Sequence, residues 1–463
     1  MNNRILSEIT IGEQARITRK LTEKEIDLFA IVSGDLNPTH FDQDYDQPAH
    51  DDGRVVGHSM WAGALFSGLL GSLLPGSGTT YKRQQFDFYH PPHVGDTVTA
   101  IITVTEKLLE QGTVVFDCKA TTENNTVVVQ GTAEVYAPTE HIHNSDAIPP
   151  DANVSRHDGY AQLMAGCKGL SAVVTAVAHP CDELSLRGAV EAAEAGLITP
   201  VFIAPEQRLR DIAAKAGLDI SHYRHVDAAH SHDAANKAVA LIRAGDAAML
   251  MKGSLHTDEL LSAVVASKTG LRTERRISHV FVMDVPTYPG LLLVTDAAVN
   301  IFPDLLTKRD ICQNAIELAH SLGIAEPRVA ILSAVETVTP TIPSTIDAAA
   351  LCKMADRGQI TGGIVDGPLA MDNAISPIAA RQKGIESPVA GRAHILLAPD
   401  LEAANILAKQ LTFLAQADAS GVVLGARVPI VLTSRADNIH TRMASCAVAM
   451  RHAHRLTTGI TPS

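Results

Sequence analysis

In residues 33–40, SGDLNPTH, a carboxylate (Asp35) and an imidazole (His40) flank an Asn-Pro turn. Asp and His are the side chains that most readily exchange protons at neutral pH. Pro38 fixes its own backbone angle and restricts Asn37, so the loop holds the pair in a defined relation. Such a loop can grip a water and deliver it to a polarised carbon. The alternative is a turn in which Asp35 accepts backbone amides and His40 packs. A second string, residues 429–437 (PIVLTSRAD), runs from an apolar stretch into Thr433, Ser434 and Arg435, and a helical pattern then extends through Met450. A hydroxyl, a guanidinium and free N–H groups at a strand-to-helix junction suit a phosphoryl or acyl-phosphate oxygen. The alternative there is a Ser capping the helix beside a solvated Arg.

Two kinds of scaffold are needed to hold these strings, and the chain supplies both. Thr22 and Glu25 form a capping box for a short amphipathic helix through Val32, and the Asp35 loop follows directly. A helix is expected over residues 55–74, apolar nearly all round and so buried on most sides. Trp61 and Met60 within it read as core. Strands of period two follow at residues 97–106, 113–122 and 126–136. Antiparallel strands wrapped on one buried helix make an α+β domain. Residues 137–160 are rich in Pro, Asn, Asp, Ser and His without apolar periodicity, as a linker is. Beyond it, apolar runs (172–177, 199–204, 247–251, 279–285, 290–296, 328–333 and 394–399) alternate with Ala-rich helical patterns. That alternation predicts a mostly parallel sheet covered on both faces. Its length predicts two α/β lobes with a cleft between them.

Composition narrows the partners. The 463 residues exceed what one core usually supports, and 38 basic against 51 acidic residues give a net charge of −13. Without a basic arm, and with 4% aromatic residues, a nucleic-acid partner is not expected. Anionic small ligands fit, because local arginines and helix N-termini bind phosphate inside acidic proteins. The six scattered cysteines form no C-x-x-C pair, so neither disulfides nor a zinc site is expected. The first residues lack a secretory apolar region, and apolar runs stop short of a membrane span. A cytoplasmic, soluble protein is the expectation.

The N-terminal arrangement resembles the MaoC-like (R)-specific enoyl-CoA hydratases of the hot-dog fold, over roughly residues 10–137. The likeness rests on SGDLNPTH with Phe41-Asp42, on V-x-x-H-x-M-W opening a helix, on ALFSGLLGSLLPGSGT and on PPHVGDTV. It implies that Asp35 and His40 bind one water and add it across the double bond of a trans-2-enoyl thioester. The thioester oxygen then needs amide donors, which the helix start around His58 and Ser59 would supply. The family usually has Gly where this chain has Ser59, and Gly allows closer approach of a ligand to the backbone. His58 either touches substrate or is a satisfied core histidine.

Residues 158–460 resemble the phosphate acetyl/butyryltransferase family through VDGPLAMD (365–372), SPVAGRAHILLAPDLEAAN (387–405) and TSRAD (433–437). The resemblance implies two α/β lobes with the site in the cleft. It also implies reversible acyl transfer between CoA and phosphate, without metal or covalent enzyme intermediate. Ser434 would hold the CoA sulfur or an acyl-phosphate oxygen, and Arg435 the developing negative charge. The acid of the acetyltransferase branch falls on Thr441, and its Arg near Phe413. Both departures, with LMKG (250–253) and GLRTERRISHV (270–280), look closer to the butyryltransferase branch. Phe413 in an apolar neighbourhood favours an acyl group longer than acetyl. Asp437 is either the base for the thiol or a helix cap. Lys252 and Arg272 are candidate contacts for CoA or phosphate, Thr433 adjoins the pair, and Asp366 in a Gly-rich loop orients ligand.

The expected organisation is therefore multi-domain. An α+β hot-dog domain (1–137) leads through a linker (138–157) to a two-lobed α/β domain of the phosphate acetyl/butyryltransferase type (158–463), with lobes dividing near 275 and 417. Two enzymes in one chain, both acting on acyl-CoA, is the leading reading, with CoA and phosphate as substrates and no bound cofactor. Hot-dog hydratases often pair across their sites, so a homo-oligomer is expected. The alternatives are a phosphotransacylase whose hot-dog domain only binds acyl-CoA or dimerises, and a nicotinamide-dependent oxidoreductase. The lack of G-x-G-x-x-G after any candidate strand counts against the second.

Overall fold

The computed structural model describes residues 3–41, 54–142, 159–433 and 437–459. The chain divides into two compact units, Met1–Val154 and Ser155–Ser463. The greater part of the expected linker, residues 143–158, lies outside the described residues.

Unit one runs β1 (Gln14–Lys20), α1 (Glu23–Ser33), α2 (Ser59–Ser72), β2 (Thr80–Phe88), β3 (Thr97–Leu108), β4 (Thr113–Thr122) and β5 (Val127–Tyr136). The strands form one antiparallel sheet in the order β1-β3-β4-β5-β2. Alternation puts Val98, Ala100, Ile102 and Val104 of β3 and Val114, Phe116, Cys118 and Ala120 of β4 into one core. Trp61, Ala62, Phe66, Leu69 and Leu70 of α2 fill the same core. The helix begins four residues later than expected and is covered on one side only. Ala64, Ser67, Gly68 and Gly71 face out, and Met60 is half exposed instead of joining the core. A helix lying on a single sheet has nothing to bury its far side.

Unit two opens with α3 (Gly159–Ala165), β6 (Val173–Ala178), α4 (Glu183–Glu194), β7 (Ile198–Ala204) and α5 (Glu206–Ala216). It continues through β8 (Arg224–Asp227), α6 (Ser231–Ala244), β9 (Met249–Lys252), α7 (Thr257–Val265), β10 (Ser278–Asp284) and β11 (Leu291–Thr295). Next come α8 (Leu305–Ser321), β12 (Arg328–Leu332), α9 (Pro343–Asp356), β13 (Ile364–Leu369), α10 (Met371–Ile375), α11 (Pro377–Gln382) and β14 (Ile395–Leu397). The last elements are α12 (Leu401–Leu414), β15 (Asp418–Leu424), β16 (Ile430–Val431) and α13 (Ile439–Thr458).

All eleven strands belong to one mixed sheet, β13-β12-β14-β11-β10-β15-β16-β9-β6-β7-β8. The two lobes therefore share a backbone ladder. Strands β6 to β9 are parallel to β16, but β15 is antiparallel to both β16 and β10, and β11 is antiparallel to β10. The direction reverses across this joint. The carboxyl ends of β6, β9 and β16 open at one end of the sheet, and those of β11 to β14 at the other. In β9, Met249 and Met251 pack to one face and Leu250 to the other, which is why such strands read as continuous apolar runs. Helix α13 passes through the interior, with Met443–Met450 all buried. Among the described residues no helix is long and apolar enough to cross a membrane.

Two histidines are built into this unit in the neutral form. Burial pushes His279 and His452 down to about 4. The Nδ1 of His279 is buried without a partner, and the Ser321 hydroxyl lies 2.9 Å from that of His452. The unfolded chain takes up these protons near pH 6.5, whereas the folded chain refuses them until about pH 4. Their contribution to stability is full above pH 6.5 and is lost as the pH falls through that window. The expected cost is about 1.4 kcal/mol per pH unit for each histidine. Burial raises Asp296, which acts in the opposite sense. Urea midpoints measured between pH 7 and 4.5 should fall, and a flat profile would contradict this assignment.

Candidate active sites

In unit one, Gly34 ends α1 in the left-handed region at φ 74°, which turns the chain out of the helix and into the Asp35 loop. The Asp35 Oδ1 accepts the Asn37 N–H (3.2 Å), and the Asn37 Oδ1 accepts the Thr39 N–H (3.3 Å). A short 3-10 turn, Pro38–His40, delivers the imidazole. His40 is locked from behind, because its Nδ1 donates to the Val56 carbonyl at 2.8 Å. That bond leaves Nε2 facing the Asp35 carboxylate, 3.7 Å from Oδ2. Asp35 is about half exposed, so solvent reaches the pair.

His58 closes the group from below. It precedes α2 as its N-cap, yet makes no side-chain bond to the helix. Its Nε2 instead donates to the Asp35 backbone carbonyl (3.1 Å), and its ring lies on His40 at 3.8 Å between centroids. Burial, helped by the neighbouring His40, lowers its pKa. Between His40 and His58 in the chain's grip, Gly57 has no room for a side chain: a Cβ would collide with Leu21 and with the Pro92 carbonyl. One ligand atom each of Asp35, His40 and His58 lies within 4.8 Å of the others, the spacing of a metal-binding trio. The hydrogen bonding does not fit that role, since a carbonyl can only accept and the His58 Nε2 must carry the proton. Ser59 is the first residue of α2, half-buried, where helix amides lack internal acceptors.

In unit two, the loops after β6, β9 and β16 meet where the sheet order turns from β9-β6 towards β7 and β8. Ligands of α/β sheets settle in such crevices at strand carboxyl ends. The Gly253 N–H donates to Ala178 O (2.9 Å), and the Ser254 N–H and hydroxyl both donate to His179 O, each at 2.9 Å. Lys252 is buried, and its Nζ reaches the Thr433 carbonyl at 3.3 Å. Ser434 and Arg435 lie outside the described residues, but the positions on both sides are held. Arg442, on α13, donates from Nη1 to the Thr433 hydroxyl (2.8 Å) and from Nε to the Asp437 carbonyl (3.3 Å). Burial pulls this guanidinium below its usual value, with Asp437 and Asp182 opposing. Asp437 does not cap α13, because Asn438 does, accepting the Thr441 N–H at 2.8 Å.

Lys252, Thr433 and Asp437 thus come together, and Arg272 and Asp366 do not join them. Arg272 bridges to Ala426, in the hairpin at the entry end of β16, whereas Thr433 follows its exit end. Asp366 sits on β13, the outermost strand, with Oδ1 turned back to the Gly367 N–H. Six strand steps separate β13 from β16, about 29 Å at the usual spacing. Arg442 was missed in the sequence. Its signal is a charge directly preceding the small and apolar run MASCAVAM on a helix with a long buried stretch, where a cation must find internal partners.

A reversing α/β sheet with buried cations at a strand-exit crevice, joined to a separate α-on-sheet domain, defines a two-domain enzyme for anionic small molecules. Residues 229–450 match the family model described as phosphate acetyl/butaryl transferase, and residues 8–127 the one described as MaoC like domain. A phosphate acetyltransferase of Rhizobium meliloti is 67% identical over 296 residues, covering 64% of this chain and 94% of that protein. A phosphate butyryltransferase of Clostridium beijerinckii is 42% identical over 296 residues, covering 64% and 98%. The crystal structure of a branched-chain phosphotransacylase from Enterococcus faecalis aligns with a TM-score of 0.55 at 30% identity, covering 61% of this chain and 99% of the other. The chain belongs to the phosphate acetyl/butyryltransferase family and carries an N-terminal MaoC-like hot-dog domain. It is a phosphate acyltransferase.

Proposed function

We propose that the chain works at two acyl-CoA sites. At the first, Asp35 and His40 hydrate trans-2-enoyl-CoA to (R)-3-hydroxyacyl-CoA. One partner takes a proton from the held water as its oxygen bonds C3, and a proton is delivered to C2. Negative charge gathering on the thioester oxygen is met by the first amides of α2, around Ser59. The observation that best supports this reading is the commitment of His40 Nδ1 to Val56 O, which turns the proton-exchanging Nε2 towards the carboxylate.

At the second site, a CoA thiolate attacks the carbonyl carbon of an acyl phosphate. The C–S bond forms, the C–O bond to phosphate breaks, and phosphate leaves with the electron pair. Arg435 meets the charge on the phosphoryl oxygens, Ser434 holds the sulfur or the acyl-phosphate oxygen, and Asp437 is the candidate base. Lys252 and Thr433 support the same turn. CoA and phosphate are substrates, and no bound cofactor is invoked. We assign acetyl as the preferred acyl group, because relatives at 67% and 53% identity are named phosphate acetyltransferase, against 42% and 44% for those named butyryltransferase or probable butyryltransferase. Phe413, which argued for a longer chain, is 79% exposed on the last turn of α12 and encloses nothing.

The test is a panel of acyl-CoA thioesters from acetyl to hexanoyl, saturated and trans-2-enoyl, assayed with and without phosphate. Crotonyl-CoA absorbance should fall without phosphate, and transfer should require phosphate and run fastest with acetyl-CoA. Unchanged crotonyl absorbance would leave the hot-dog domain as a non-catalytic acyl-CoA-binding module. A faster butyryl reaction would overturn the acetyl assignment.

A further inference from the structure

The segment from Val56 to His58 touches both halves of the Asp35–His40 pair. The Val56 carbonyl receives the His40 Nδ1 proton, and the His58 Nε2–H is given to the Asp35 carbonyl. Gly57 between them donates its N–H to Pro92 O at 2.7 Å and fits only without a side chain. Val56 also pairs with His93 across an antiparallel bridge. The two supports are therefore fixed to one short, tightly packed stretch of backbone.

Three observations set His58 apart from a substrate contact. It is 2% exposed, so a ligand has almost no surface of it to meet. Its Nδ1 is buried without a hydrogen-bond partner among the described residues, so it presents no accessible polar atom to a substrate. Its Nε2 proton is already engaged with Asp35 O, and its ring face is covered by His40 at 3.8 Å and approached by Phe29 at 5.1 Å. A residue that only filled space would not need the nitrogen. Leaving a polar atom orphaned in a core costs free energy that a Phe or Leu would avoid.

We infer that His58 is a positioning residue for the hydration pair: its Nε2–H pins the Asp35 loop, and its ring forms the floor on which His40 lies. The inference rests on the hydratase reading above. Positioning of this kind acts on the rate and not on affinity, since it fixes the separation of the two proton-handling groups without meeting the substrate. It also requires the Nε2–H form of the ring. A positive charge on His58, against the His40 ring, would disturb the pair, and burial of His58 opposes that charge.

The experiment uses the full chain with His58→Phe and His58→Gln. Phe keeps the ring volume without a donor, and Gln places an amide N–H close to the former Nε2–H. His58→Phe should lower kcat for crotonyl-CoA hydration about 100-fold. Its KM should stay within about threefold of wild type, and His58→Gln should recover to within about tenfold in kcat. Phosphate-dependent acyl transfer, which uses none of these residues, should be unchanged in both and reports on intact protein. Nitrogen-15 histidine spectra of the wild type should show His58 as the Nε2–H tautomer, a reading that needs no variant to fold. A raised KM with unchanged kcat, an unaffected His58→Phe, or an Nδ1–H tautomer would each overturn the inference. No hydration by the wild type defeats the hydratase reading itself, and is seen before any variant is made.

Discussion

Asp35→Asn is expected to lower crotonyl-CoA hydration about 10³-fold while leaving phosphate-dependent acyl transfer and thermal stability unchanged. The substitution is close to silent in shape. Asn keeps an oxygen that can accept the Asn37 N–H now received by Asp35 Oδ1, so the turn retains its internal bond. The side chain is about half exposed, and no buried charge is stranded by its loss. What disappears is the carboxylate 3.7 Å from His40 Nε2, and with it one of the two groups able to exchange a proton with a water held between them. Loss of crotonyl-CoA absorbance is the readout, because hydration removes the conjugated double bond. A variant that hydrates crotonyl-CoA at the wild-type rate would remove Asp35 from the chemistry.

The second large effect belongs to the other unit. Arg435→Ala is expected to reduce phosphate-dependent acyl transfer about 10²- to 10³-fold, the range seen when one donor to a developing anion is removed. Ser434→Ala should act in the same direction, and both variants should hydrate crotonyl-CoA normally. The argument uses the neighbours. Thr433 and Asp437, on either side of the pair, are bonded to Arg442, and the Thr433 carbonyl also receives Lys252. These fixed flanks remain in either variant, so the loss would reflect the deleted group and not a collapsed turn. CoA-release kinetics with acetyl-CoA and phosphate, compared in wild type and variants, decide the matter. Wild-type turnover in both would place the reaction elsewhere.

Much of the fold is written locally. The Thr22–Glu25 capping box forms as read, and β3 and β4 alternate as their sequences do. Strands β1 and β2 escape the same reasoning because they are sheet edges: QARITRK and TYKRQQFDF mix charged with other polar and aromatic residues at their exposed positions and show no clean apolar face. The sites divide along a similar line. Asp35 and His40 are legible because one turn contains them both. Thr433 and Lys252 are legible as strings, but their meeting depends on β9 and β16 being parallel neighbours, a long-range fact. Arg272 and Asp366 show the cost of lacking it. Their motifs are as distinctive as the others, yet strand order and direction carry one to the opposite end of the sheet and the other to its edge. Arg442 needed a further step, from a charged residue on a buried helix to the partners that must satisfy it.

The ladder joining the two lobes narrows to almost nothing at β16. This strand has two residues, and only two pairs hold it on each side: Val422–Val431 and Val423–Ile430 towards β15, Ile430–Leu250 and Val431–Met251 towards β9. Elsewhere the sheet is held by longer ladders, so this neck is its narrowest point. Thr433 stands two residues past Val431, at the end of the lever. A shift at this neck would therefore reach first the segment proposed to carry acyl transfer, which makes the narrowest point of the sheet and the proposed chemistry neighbours in the chain.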